Sequence, residues 1–284
     1  MSGRKKEMNS KIIITIQKTI LLTTIFYFNL LFMNMFWDAL FLLVAGLLGG
    51  FLNTVISSGS AVTLPLLISF GIPPNIANAT NRVPVFVGFL SSTIQFHKKK
   101  LINWRKTILL AIPLVIGTVL GVLFVEDLPA KAISKIIIIA LFVSLTIAII
   151  KFRNLSLKKN NTQTKITIVS YLLFCLLGIW GGIIVLDTAT FILFSLMLHL
   201  GIDFIEANAT KSALCLIFSF VSLCLFALND NVNWYYGGCL AVGSYFGGYI
   251  GSKFAVKENT RKWVFILLIA LISLEILHMI IKNL

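Results

Sequence analysis

The chain has 284 residues, is 58% hydrophobic and only 12% charged, and carries a net charge of +14. Its mean hydropathy is +0.97. A soluble domain of this size needs far more polar surface, and a transmembrane barrel needs alternating rather than continuous apolar runs, so an all-α polytopic membrane protein remains.

The first 37 residues open with a basic stretch and run into an apolar segment that Lys18 interrupts. No small-residue cleavage site follows, so residues 1–37 are predicted to form a basic N-terminus and a retained extra transmembrane helix. An apolar stretch from Leu40 to Ile56 comes next and ends in the polar knot "SSGS", Ser57 to Ser60. A short run from Ala61 to Phe70 follows. A helix is predicted from near Pro74 to the basic cluster beyond His97, then spans at about Thr107–Val125 and Lys131–Ile150.

The second half repeats the first. "ANAT" starts at Ala77 and again at Ala207, 130 positions on. The same offset pairs Gly71-Ile72 with Gly201-Ile202, Asn103-Trp104 with Asn233-Trp234, Gly117 and Gly121 with Gly247 and Gly251, and Phe124 with Phe254. Matches in one register without a gap indicate an internal duplication. Copy two is predicted as Ile166–Leu186, the knot "DTAT" (Asp187 to Thr190), Phe191–Leu200, Phe204–Leu228, Tyr235–Val256 and Arg261–Ile281. The division is repeat 1 over 38–151, a cytoplasmic linker over 152–165 and repeat 2 over 166–284.

Charge sets orientation. The loop after the first ANAT helix, "HKKKLINWRK", is strongly basic, while its counterpart "LNDNVNWYYG" has no Lys or Arg. The next loops reverse this: "VEDLPAK" is acidic and "SKFAVKENTRK" basic. Basic loops stay cytoplasmic, so the copies are predicted to be inverted-topology repeats, with the N-terminus inside. An odd number of crossings per copy is required. Five full spans satisfy this, as do three spans plus a re-entrant hairpin around each knot. Basic clusters on such a chain report orientation, so the lipid bilayer, not nucleic acid, is the partner.

Non-helical backbone at membrane depth belongs against protein or a water-filled cavity, where broken helix ends can serve an ion. The two knots are therefore predicted to be halves of one central site, with hydroxyls from Ser57, Ser58, Ser60, Thr188 and Thr190 that can coordinate an anion's oxygens or a cation. Arg82 and Lys211 lie about two turns into the two ANAT helices. A cation at helix centre costs about 2.5–3.5 kcal/mol and should face a cavity or a partner. Together they could neutralise a small dianion, among the neutral hydrogen-bonding groups of Asn78, Thr80, Asn81, Asn208 and Thr210. Asp187, the one acid in a knot, is the candidate proton-coupling group, or else an ion-pair partner of Lys211. Small-residue seams, Gly46-x-x-x-Gly50, Gly117-x-x-x-Gly121, Gly178-x-x-x-Gly182 and Gly243-x-x-x-Gly247-x-x-x-Gly251, read as close helix packing. Phosphate-loop, metal-pair and nucleophile-elbow signatures are missing, so no enzyme, no cofactor and no metal site are expected.

The order of these motifs resembles the TauE/SafE family of sulfite-exporter-like permeases. "LLGGFLNTVISSGSAVTLPLLISFGIPP" leads to "ANATNR", then Asn103-Trp104 and a glycine seam. "GIWGGIIVLDTATFILF" leads to "GIDFIEANATKS", Asn233-Trp234 and a second seam. The resemblance runs from about Leu40 to the C-terminus. It implies a secondary transporter of small sulfur-containing anions, sulfite or a sulfonate, in the bacterial cytoplasmic membrane. The alternatives are a passive anion channel and a non-transporting subunit of a larger complex. The chain departs from the family at its knots, which are usually glycine-rich; Asp187 in the second one opposes a dianion.

Overall fold

A computed structural model describes residues 37–153, 165–255 and 273. The predicted N-terminal helix, most of the linker and the predicted span Arg261–Ile281 lie outside these. Among the described residues the structure is helical and contains no strand.

The helices are α1 (Trp37–Val55), α2 (Ser60–Ser69), α3 (Pro74–Thr80), α4 (Arg82–Lys98), α5 (Trp104–Glu126) and α6 (Ala130–Arg153) in the first half. The second half has α7 (Ile168–Ile183), α8 (Thr188–Phe194) running into a π turn (Ser195–His199), α9 (Phe204–Leu228) and α10 (Trp234–Phe254). Two compact units divide between Phe41 and Leu42; everything below concerns the second. By length and composition α1, α5 and α9 can each cross a membrane. By contrast, α2 has 10 residues, about 15 Å, half the thickness of a hydrocarbon core.

The duplication is written in the backbone. Among the described residues six have positive φ: Ser57, Gly71, Lys100, Asp187, Gly201 and Asp230. They form three pairs, each separated by the 130-residue offset seen in the sequence. Gly71 and Gly201 supply the left-handed conformation without steric cost. Ser57 (φ 72°) and Asp187 (φ 57°) hold it with a side chain present, which costs about 1–2 kcal/mol each. Both lie in the knots, where each first helix stops and the chain turns back. Gly59 and Thr63 lie against Gly49 of α1, so α2 doubles back along the last turns of the helix before it. A Cβ on Gly59 would meet the Gly49 carbonyl oxygen at 1.8 Å, so this reversal requires glycine.

Asn103 and Asn233, matched in the sequence, are the N-caps of α5 and α10. Their side chains accept from Lys106 N and Tyr236 N, satisfying backbone donors that a helix start leaves open. The ANAT helices differ between the copies. The expected single helix from Pro74 is split at Asn81, whereas α9 is continuous over 25 residues. Pro84 explains the split: it has no N–H for the Thr80 carbonyl, and its ring crowds that carbonyl. Leu214 stands at the equivalent place. Helix α7 also ends at Ile183, earlier than expected, and Ile184 is extended.

The glycine seams join the halves reciprocally. Gly117 and Gly121 of α5 lie against Cys175 and Ile179 of α7, while Gly178 and Gly182 of α7 lie against Leu114 and Thr118 of α5. In the same way Gly243 and Gly247 of α10 lie against Leu43 and Leu47 of α1, and Gly46 and Gly50 of α1 against Leu240 and Ser244. Ser244 Oγ donates to the Gly46 carbonyl at 3.0 Å. Each half thus packs its first helix on the Gly-rich helix of the other half. Close approach of this kind substitutes for the hydrophobic drive that lipid removes.

A valine at Gly46 would place its Cβ 2.1 Å from the Leu240 carbonyl oxygen, whereas a Cβ at Gly238 meets nothing within 4 Å. Gly46→Val is expected to destabilise the protein by more than about 2 kcal/mol through overpacking. Gly238→Ala should leave stability unchanged or raise it slightly. Thermal unfolding in detergent distinguishes the two; equal melting temperatures would remove the seam from the account.

Candidate functional site

The knots meet. Ser58 Oγ donates to Asp187 Oδ1 at 3.0 Å and lies 3.2 Å from Thr190 Oγ1. Thr190 Oγ1 is within hydrogen-bond distance of the Ser57 carbonyl (3.1 Å) and of Asp187 Oδ1 (3.3 Å). The connection is therefore made by four residues, two from each copy, that lie about 130 positions apart in the chain. All of Ser57, Ser58, Ser60, Asp187, Thr188 and Thr190 are buried. Helices α2 and α8 begin at these knots, so their positive N-terminal ends lie beside the joined hydroxyls.

The other ends of the broken helices are held by the ANAT segments. A helix C-terminus leaves carbonyls without partners and carries partial negative charge. At the end of α7, the Arg82 guanidinium donates to the Gly181 carbonyl and, at 3.0 Å, to the Gly182 carbonyl. Asn78 Nδ2 donates to the Ile183 carbonyl at 2.9 Å, and Thr188 Oγ1 to Ile184 O at 3.2 Å. At the end of α1, Lys211 Nζ donates to the Asn53 carbonyl (3.1 Å), the Thr54 carbonyl (3.3 Å) and Ser57 Oγ (3.0 Å). Asn208 Nδ2 donates to Thr54 O at 3.0 Å. The same device is used twice: an Asn and a cation of one half cap the broken helix of the other.

Both cations are fully buried, and each also faces an aromatic ring. Arg82 Cζ is 5.3 Å from the Phe226 centroid and Lys211 Nζ 5.6 Å from that of Phe89, within the range of a favourable cation–π contact. The halves are not identical. Lys211 reaches the knot itself through Ser57, whereas the polar contacts of Arg82 are the α7 carbonyls and Ser222 Oγ at 3.5 Å. The one-position offset between the two cations in the repeat accompanies this difference.

The remaining expected residues fall around these contacts. Thr80 Oγ1 accepts from Asn233 N at 2.9 Å, which fixes the start of α10. Asn81 Oδ1 accepts from Thr63 Oγ1 at 2.6 Å, tying α2 to the α3–α4 break. Asn78 Oδ1, Asn81 Nδ2, Arg82 Nε, Asn208 Oδ1 and Thr210 Oγ1 are buried and make no hydrogen bond. Two residues of the site were not anticipated. Asn53 accepts from Gly59 N at 2.8 Å through its side chain, stitching α1 to the knot, and Thr63 holds Asn81. Their repeat positions are Ile183 and Leu193, so the duplication offered no signal for either.

A family model described as "Sulfite exporter TauE/SafE" matches residues 42–276. A "Probable membrane transporter protein" of Haemophilus influenzae is 25% identical over 223 residues, which are 77% of this chain and 85% of that protein. "Probable membrane transporter protein ORF9" of a Sinorhizobium species is 23% identical over 238 residues, 83% of this chain and 90% of its own. "Probable membrane transporter protein YfcA" of Escherichia coli K12 is 23% identical over 242 residues, 84% and 88% respectively. No solved structure matches the chain.

The capping geometry carries a direct expectation. Arg82→Met leaves the Gly181 and Gly182 carbonyls without their charged donor, and is expected to cost about 3 kcal/mol. Asn78→Ala removes one neutral bond and should cost about 1 kcal/mol. Denaturant unfolding of the purified variants in detergent tests this. An Arg82→Met protein as stable as the parent would contradict the capping role.

Proposed function

The chain belongs to the sulfite exporter TauE/SafE family, and from that membership we propose that it is a secondary transporter of a small sulfur-containing anion, sulfite or a sulfonate. The observation that carries the reading is the joined pair of knots. Hydroxyls of Ser57, Ser58, Ser60, Thr188 and Thr190 lie at the starts of two short helices, and a buried ammonium, Lys211, is bonded to one of them. Hydroxyls, helix N-termini and a cation are the donor set an oxyanion needs once it has left water. Arg82 contributes positive charge from the α7 end, and Asn78, Thr80, Asn81, Asn208 and Thr210 furnish the neutral lining.

Inverted repeats supply the movement in this reading. The reversed loop charges and the reciprocal seams support two halves related by a two-fold axis in the membrane plane, in a cell membrane with the N-terminus inside. Rocking of one half against the other then exposes the joined knots to each side in turn. Asp187, accepting from Ser58 and reached by Thr190, is the group to which we assign the coupling proton.

Uptake of labelled sulfite into proteoliposomes, with and without an imposed pH gradient, tests the proposal. Saturable uptake that accumulates against a concentration gradient when the pH gradient is present is expected. Ser58→Ala and Thr190→Ala should each lower the initial rate by about tenfold, the loss of one buried hydrogen bond to a charged group. Conductance without saturation would make the protein a channel, and no flux from a folded preparation would make it a non-transporting subunit.

A further inference from the structure

Among the described residues, only three charged side chains are buried: Arg82, Lys211 and Asp187. All belong to the site, and their formal charges sum to one positive charge. Resting on the anion-transport reading above, we infer that the site is built for a monovalent oxyanion that still carries one O–H, of the hydrogensulfite type, and that Asp187 sets this charge selectivity. Burying an uncompensated charge costs several kcal/mol, so the loaded site is stable when the cargo brings one negative charge. A dianion leaves a net negative charge in the site unless a proton neutralises Asp187.

The orphaned polar atoms support the same cargo. Asn81 Nδ2 and Arg82 Nε are buried donors without an acceptor, and they suit the charged oxygens of an oxyanion. Asn78 Oδ1 and Asn208 Oδ1 are buried acceptors without a donor. Their orientation is set, since each amide nitrogen is bonded to a helix-end carbonyl; turning the amide over would place two acceptors together. An unpaired buried acceptor is destabilising, and a fully deprotonated anion offers it nothing. A hydrogen-bearing monoanion offers oxygens to the two donors and its one O–H to one of the two amide oxygens.

The elements packed around Asp187 leave few competitors for this titration. Helix α9 carries Lys211, Cys215, Glu206 and Cys224, α7 carries Cys175 and Tyr171, and the π turn carries His199; α2 has no titratable side chain. Of these only Lys211 and Cys215 are fully buried. His199 is engaged by Ser170 at the far end of α8.

Binding to the purified protein tests the inference. Sulfite, methanesulfonate and sulfate are titrated on either side of neutrality, where sulfite passes from its monovalent to its divalent form while sulfate stays divalent. Sulfite affinity is expected to follow the monovalent fraction. Methanesulfonate, monovalent but without an O–H, should bind about tenfold more weakly than hydrogensulfite. Sulfate should bind at least about tenfold more weakly than hydrogensulfite. Asp187→Asn raises the buried charge by one and should reverse the pH dependence of sulfite binding, so that affinity follows the divalent fraction, and favour sulfate. Wild-type binding of sulfate as tightly as sulfite, or unchanged selectivity in a folded Asp187→Asn protein, would overturn the charge assignment while leaving anion transport standing. No binding of any of the three by folded wild-type protein would overturn both readings.

Discussion

Two helices stop inside an apolar protein, and the structure depends on how their open ends are satisfied. A broken helix exposes carbonyls that would find water at a soluble surface but cannot find it among packed apolar helices. Here the partners are an asparagine and a cation delivered by a helix from the opposite half. Arg82 and Asn78 close α7, and Lys211 and Asn208 close α1. The cost of burying a guanidinium and an ammonium is offset because each meets the negative end of a helix and an aromatic face. Remove this exchange and neither knot has a reason to stay where it is.

From that constraint the site follows. With the C-terminal ends of α1 and α7 tied off, the chain reverses through Ser57 and Asp187 in left-handed conformations and starts α2 and α8 beside one another. Strained backbone held by its surroundings is common where a protein handles a ligand. The reciprocal glycine seams bring α1 and α7 close enough to the opposite halves for the ANAT side chains to reach them. Packing, capping and the hydroxyl cluster are thus one arrangement, and the two small irregularities in it, Pro84 and the displaced cation, make the halves unequal. Of Arg82 and Lys211, only Lys211 hydrogen-bonds a knot residue, and only the second knot carries an acid.

Much of this was legible in the sequence. The 130-residue offset appears again in all three pairs of left-handed residues and in the two Asn caps. Helix α9 has the expected bounds, and both knots lie where the apolar runs are interrupted. The split at Asn81 was also readable, since Pro84 is in plain view, but a helical reading tolerates one proline and does not force the break. What could not be read was the partner of each cation. A buried Arg or Lys announces that it needs acceptors; whether those are the oxygens of an anion or the carbonyls of a helix end depends on which helix stops nearby, and that is decided by tertiary packing. Asn53 and Thr63 escaped for a related reason, because each does its work in one half only.

In the proposed mechanism the joined knots receive the anion while the ANAT cations hold the helix ends that frame them. Determining the structure with sulfite bound, in a lipid environment, tests it most directly. Ligand density is expected in contact with the hydroxyls of Ser57, Ser58 and Thr190, with Arg82 still on the α7 carbonyls and Lys211 still on those of α1. Density elsewhere, with the Ser58–Asp187 contact undisturbed, would contradict it.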